Sequence, residues 1–210
     1  MRKIDSSTLI KGLFSISPYI GVVLGLYVFK NAFLSIIIYH LGLITAIILF
    51  RKKISFGKIF AVNNKPLLLV SVIACSLSGL LIYWLWDTVK LPTLNLSEVM
   101  ATFGLIGPTK IIFLIYYSTI HPLLEELYWR FILNPKNRFV SISELLFSAY
   151  HILVISLFVK TEYVVLIFFI LLGAARVWRY FVQSRNERFL ALLTHAVADF
   201  SIMYCVIMLY

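Results

Sequence analysis

The sequence predicts an all-α protein: a polytopic transmembrane helical bundle of about seven spans with its N-terminus inside. Three observations carry this. Hydrophobic residues make up 61% of the 210-residue chain, and the mean hydropathy is +0.96. Charged residues are only 13%, about half the roughly 25% of an ordinary soluble domain. The apolar residues also fall in long runs, not in the alternating segments of about ten residues that a membrane β-barrel uses. A helix satisfies its own backbone hydrogen bonds in lipid, so runs of this kind are helical.

The net charge of +10 does not indicate nucleic acid as a partner. The basic residues sit in short clusters between apolar runs, where membrane topology accounts for them. Cys75 and Cys205 lie far apart inside apolar runs and read as buried thiols, not as a disulfide framework. Met1-Arg-Lys precedes the first apolar run without a small-residue cleavage site, so that run reads as an uncleaved span.

The first span covers about 13–29 and contains Gly21-Val-Val-Leu-Gly25, a spacing that lets helices approach closely. Lys30-Asn31 turns the chain into a second span at 32–50, where His40 reads as a packed, hydrogen-bonded histidine. A basic loop leads to the third span, 66–86, which ends in the interfacial residues Trp84 and Trp86. After a polar loop, the apolar piece 99–106 is too short to cross and reads as interfacial or re-entrant. The fourth span, 110–133, contains Pro122, which should kink or unwind it just before Glu125 and Glu126. Asn134-Pro135 ends it. The fifth, sixth and seventh spans fall near 143–159, 163–175 and 189–210, the sixth being short enough to need a further turn from 176–180. Residues 1–108 thus form an N-terminal set of helices and 109–210 a second, motif-bearing set within one membrane domain.

With the N-terminus inside, the inner segments hold Arg2, Lys3, Lys11, Arg51, Lys52, Lys53, Lys58, Lys65, Arg130, Lys136, Arg138, Arg176, Arg179, Arg185 and Arg188. Only Lys30, Lys90, Lys110 and Lys160 fall outside. Such an excess of Lys and Arg on one side sets orientation.

Three polar motifs interrupt the last spans. His121-Pro-Leu-Leu-Glu-Glu-Leu-Tyr-Trp-Arg130 carries two adjacent acids, Phe147-Ser-Ala-Tyr-His151 one imidazole, and His195-Ala-Val-Ala-Asp199 an imidazole and an acid. Ionisable residues within a membrane are costly and mark function by default. At about 1.5 Å per residue, Glu125 lies roughly 7.5 Å from Arg130, His151 roughly 12 Å from Ser143 and His195 roughly 9 Å from Phe189. The three motifs therefore reach similar depths. Glu126 and Arg130 are i and i+4 and can pair, which leaves Glu125 free as a general base toward water. His195 and Asp199 have the same spacing, the acid orienting the imidazole. His121 stands one turn before Glu125 as a supporting residue.

Glu-Glu-x-x-x-Arg, Phe-x-x-x-His and His-x-x-x-Asp, in that order, resemble the CPBP (Abi) family of type II CAAX prenyl endopeptidases and bacteriocin-processing or self-immunity proteins. The resemblance covers about 109–204. It implies a bacterial cell-membrane endopeptidase whose site opens toward the cytoplasm and takes a peptide or membrane-tethered, sometimes prenylated, substrate. By this resemblance Glu125 and His151 activate water, and His195 with residue 199 stabilises the oxyanion. Glu126 and Arg130 support the site, and Phe147 packs it. The chain departs from the prenyl endopeptidases in having Asp199 for Asn, and an ionised Asp cannot donate to an oxyanion. The family is also described as metalloproteases, so Glu125, His151 and His195 are alternatively three ligands for Zn²⁺; metal-independent water activation is the favoured reading. A Glu126–Arg130 helix-end salt bridge and an interhelical His195–Asp199 hydrogen bond are the purely structural alternatives. A non-catalytic regulator or immunity protein and a proton-coupled transporter are the competing functions, the latter disfavoured because no internal repeat is visible.

Overall fold

The computed structural model describes residues 6–51, 59–60, 62–134 and 139–208, without the side chains of 6–9 and 184. Arg2, Lys3, Lys52, Lys53, Lys58, Pro135, Lys136 and Arg138, invoked above for topology and helix termination, lie outside the described residues. The described residues are mostly helical, with no strand among them. The first span is built in pieces: α1 (Ser6–Leu13), a 3₁₀ turn (Phe14–Ile16), α2 (Ser17–Val22) and a π-helical segment (Val23–Val28). Then follow α3 (Ala32–Phe50), α4 (Lys65–Val89), α5 (Leu96–Thr102) and α6 (Pro108–Glu125), continued by a second π-helical segment (Glu126–Ile132). The chain closes with α7 (Ile142–Ile155), α8 (Thr161–Ser184) and α9 (Arg188–Met208).

Helix starts follow the local sequence. Asn31, Asn64 and Asn95 each accept a hydrogen bond from the backbone N–H three residues on, capping α3, α4 and α5. Ser141 and Glu144 form a reciprocal capping box at α7. Lys30, at φ 50°, turns the chain between the first helical stretch and α3.

Among the described residues, five helical stretches are long and apolar enough to cross a membrane: Ile10–Val28, Ala32–Phe50, Lys65–Val89, Thr161–Gln183 and Arg188–Met208. Large apolar side chains on their outer faces, such as Leu69, Val70 and Trp84, are exposed, as suits a protein whose solvent is lipid. The Gly21/Gly25 spacing does bring helices together: a Cβ on Gly25 would lie 2.3 Å from the Cα of Ser35 on α3. Gly79 does the same for α4 and α9, where a Cβ would lie 2.1 Å from the Ser201 carbonyl oxygen.

The connections gather at two ends. At one, Leu91 N–H bonds Phe158 O, Lys160 N–H bonds Val89 O, and Ala32 N–H bonds Phe103 O, at 2.9, 2.9 and 3.0 Å. At the other, Asn63 donates to the Glu187 carboxylate and to Asn186 O at 3.2 and 3.1 Å.

Several expectations need correction. Pro122 sits inside an α-helix that continues to Glu125, and the distortion begins at Glu126, after the first acid. The π-helical turn there faces Glu126, Trp129 and Arg130 inward, all buried; such bulges are frequent at functional sites. The 99–106 piece holds the end of a short helix, α5, and a turn at Gly104, with a second turn at Gly107 just beyond it, both glycines having positive φ. The fifth helix stops at Ile155 and the sixth runs on to Ser184. Arg179, expected as an inner-segment charge, is drawn inside the bundle by Glu144.

Candidate active site

Helices α3, α6, α7, α8 and α9 enclose a polar cluster whose centre is Glu125. This side chain is fully buried, at 0% exposure. Its two oxygens are treated differently. Oε1 accepts short hydrogen bonds from the Tyr39 hydroxyl on α3 and the Tyr150 hydroxyl on α7, and Tyr39 is itself held by Trp129 Nε1–H at 3.2 Å. Oε2 lies 3.6 Å from His121 Nε2 and 3.4 Å from His195 Nε2. Both separations exceed the 2.7–3.2 Å of a good N–H···O bond. Oε2 and His121 Nε2 have no hydrogen-bond partner among the described residues. Oε1 is therefore clamped, and Oε2 is the available atom.

Glu126 points elsewhere, toward α9. Its Oε1 accepts from His195 Nδ1 at 2.9 Å, while Arg130 Nε stands 3.5 Å away. The i,i+4 pairing with Arg130 exists, but the imidazole is the closer partner. The Arg130 guanidinium instead lies over the Phe147 ring at 4.3 Å and near Trp178 at 5.6 Å, the geometry of cation–π attraction. Trp178 stacks on His195 with centroids 4.1 Å apart and planes 17° apart, and its Nε1–H donates to Thr194 at 3.1 Å. Glu126 and Trp178 thus fix the His195 ring, leaving Nε2 to face Glu125 Oε2 and, at 3.7 Å, Asp199 Oδ2. Phe147 sits among Arg130, His151, Trp178 and His195, packing them together.

His151 is placed differently from the expectation. Its Nδ1 donates to the Phe147 carbonyl at 2.7 Å and its Nε2 lies 3.1 Å from the Tyr150 hydroxyl. It reaches Glu125 through Tyr150, not directly. His40 is the packed, bonded histidine expected, but its partners tie it to the cluster: His121 Nδ1 at 2.9 Å and the Tyr116 hydroxyl at 2.7 Å.

The residues do not fit Zn²⁺ as they stand. Among the described residues no group of three or more His, Cys, Asp or Glu side chains is gathered for a metal ion. Of the anticipated ligands Glu125, His151 and His195, the second has both ring nitrogens committed away from Glu125.

Sequence reasoning passed over Tyr39 and Tyr150. The signal for Tyr150 lay inside the Phe147–His151 motif, and that for Tyr39 in the adjacent Tyr39-His40 pair within an apolar run. Both cysteines are free, Cys205 buried and Cys75 partly so. No protein-family model, curated protein or solved structure matches this chain.

Proposed function

We propose that the chain is a CPBP-type intramembrane endopeptidase that hydrolyses a peptide bond of a membrane-associated substrate with water activated by Glu125. One observation carries the reading. A fully buried carboxylate keeps one oxygen unpartnered, facing two imidazole nitrogens at 3.4 and 3.6 Å. Buried polar atoms are nearly always bonded, so a cluster of unpartnered ones calls for a chemical reason.

In this reading a water between Glu125 Oε2 and the imidazoles gives its proton to Oε2 while its oxygen attacks the peptide carbonyl carbon. The tetrahedral oxyanion is stabilised by a hydrogen bond from His195, whose Nδ1–H stays on Glu126 and whose Nε2–H points to the reaction centre. Such donors contribute roughly 2.7–4 kcal/mol each. Asp199 supports the charged form of His195 and does not donate, which removes the difficulty raised by its replacing Asn. Glu125 then hands its proton to the leaving amine. His151 acts through Tyr150, and Arg130 offsets the charge of Glu126. The alternative with Zn²⁺ bound by Glu125, His151 and His195 has no support in the side-chain positions.

The proposal includes seven crossings, an inner N-terminus and a site opening toward the cytoplasm of a bacterial cell. Supporting it are the clustering of basic residues in alternate connections and the gathering of the loops at two ends. Asp87→Cys, in a background lacking Cys75 and Cys205, is expected to react with an impermeant thiol reagent in intact cells; labelling only after lysis overturns the orientation.

The enzymatic reading is tested with purified protein in detergent and a membrane-tethered peptide library. The parent chain is expected to cleave and Glu125→Ala to be inactive while folded. A second reading, a non-catalytic regulator or self-immunity protein, draws on the complete burial of Glu125. It predicts that Glu125→Ala leaves the cellular phenotype intact.

A further inference from the structure

The hydrolytic reading uses Glu125 and His195 but leaves two buried imidazoles unexplained. His121 and His40 are each 2% exposed, on different helices, and bonded to one another through His121 Nδ1 and His40 Nε2 at 2.9 Å. Their rings are nearly parallel, 25° apart. The outer nitrogen of each ring has a further partner direction. His121 Nε2 faces Glu125 Oε2 at 3.6 Å, and His40 Nδ1 lies 2.7 Å from the Tyr116 hydroxyl. Tyr116 is half-buried, roughly 12 Å from the Pro108 end of α6 at a helical rise of about 1.5 Å per residue.

We propose that Glu125, His121, His40 and Tyr116 form a proton relay that exchanges protons between the buried carboxylate and water at the Tyr116 hydroxyl. A neutral imidazole has one N–H and one lone pair, so the chain has two consistent polarities. With Glu125 ionised, Tyr116 O–H donates to His40 Nδ1, His40 Nε2–H to His121 Nδ1, and His121 Nε2–H points at Oε2. A proton delivered by water to the Tyr116 oxygen displaces the hydroxyl proton onto His40 Nδ1. The Nε2 proton of His40 then moves to His121 Nδ1, and the Nε2 proton of His121 passes to the water between the two groups, which gives one of its own protons to Glu125 Oε2. The result is a protonated Glu125 with both tautomers inverted, one proton richer. The reverse sequence returns it to water. The other groups around Glu125 are Tyr39 from α3, Tyr150 from α7 with His151 behind it, and His195 from α9 with Asp199 behind it. None of their contacts interrupts the His121–His40 link, and Tyr117 stacks on His121 at 4.3 Å, holding the ring in line.

The relay rests on this geometry; only its use in turnover rests on the hydrolytic reading, and the two are tested separately. The full chain, labelled with ¹⁵N-histidine and ¹³C-glutamate, is titrated by NMR in detergent, with Glu125 assigned by its loss in Glu125→Gln. The expected result is one common midpoint for the Glu125 carboxyl and for inversion of both the His121 and His40 tautomers. In His40→Gln and in His40→Phe, His121 is expected to lose that coupling. A Glu125 that titrates while either tautomer stays fixed, or that does not titrate at all, overturns the relay. In the peptide assay, Tyr116→Phe is expected to lower kcat roughly tenfold with KM unchanged, a loss in the range of an impaired proton transfer. Coupled tautomers in a chain that hydrolyses nothing overturn the enzymatic reading and leave the relay standing.

Discussion

Two buried acid–base clusters stand side by side in this bundle, and they are finished to different degrees. Around Glu144, every group is answered. Arg179 donates to both carboxylate oxygens, at 2.6 and 3.0 Å, and to the Phe139 carbonyl at 2.7 Å. The same carboxylate accepts from the Ser141 backbone N–H at 2.7 Å, closing the α7 cap. Around Glu125 and Glu126 the accounting does not close. Glu125 Oε2, Glu126 Oε2, His121 Nε2, Asp199 Oδ2 and two nitrogens of Arg130 lack hydrogen-bond partners among the described residues. Both clusters bear the desolvation cost of buried charge. The first recovers it in bonds and ties α7 to α8; the second leaves it partly unrecovered among the described residues.

The sharpest way to test this contrast is to damage the finished cluster. Arg179→Ala strands Glu144 in the interior and is expected to destabilise the protein by about 3–5 kcal/mol, seen as lost folded protein on size-exclusion and a lower unfolding temperature in detergent. Glu125→Gln should do the reverse. Peptide hydrolysis is expected to fall by about 10²–10⁴-fold, while the unfolding temperature moves far less than in Arg179→Ala, because the amide keeps an oxygen for the Tyr39 and Tyr150 hydroxyls. Equal destabilisation by the two changes would falsify the contrast. Gly79→Ala probes packing away from both clusters. Its Cβ would meet Ser201 backbone oxygen, so α4 must move off α9 at a cost of about 1–3 kcal/mol, with hydrolysis by the folded fraction unchanged. Tyr39→Phe is the mildest. It removes one of two donors to Glu125 Oε1, costing about 0.5–1.5 kcal/mol, and should lower hydrolysis without abolishing it; an unchanged rate shows that the clamp does not position Glu125.

Of the two clusters, the residues of the second were largely legible in the chain before folding. The acids, the histidines and their i,i+4 spacings stand out because almost everything around them is apolar. The glycine spacing at Gly21 and Gly25 marked a close helix approach that the fold contains. Tyr39 and Tyr150 did not stand out, since tyrosines in an apolar run are common and a hydroxyl's role depends on which carboxylate it meets. Arg179 was misread as a loop charge because its partner, Glu144, is thirty-five positions away on another helix. Periodicity carries information along one helix and none between two.

The sequence by itself determined that this is an all-helical membrane protein and where polar groups interrupt its apolar runs. Lipid imposes that pattern directly, since it accepts neither unpaired backbone nor unpaired charge. Only the tertiary structure decided the pairings. Glu126 meets His195 more closely than Arg130, His151 reaches Glu125 by way of Tyr150, and His121 joins His40. Helical spacing offers each side chain a face; which atom it meets there depends on how neighbouring helices are rotated and packed.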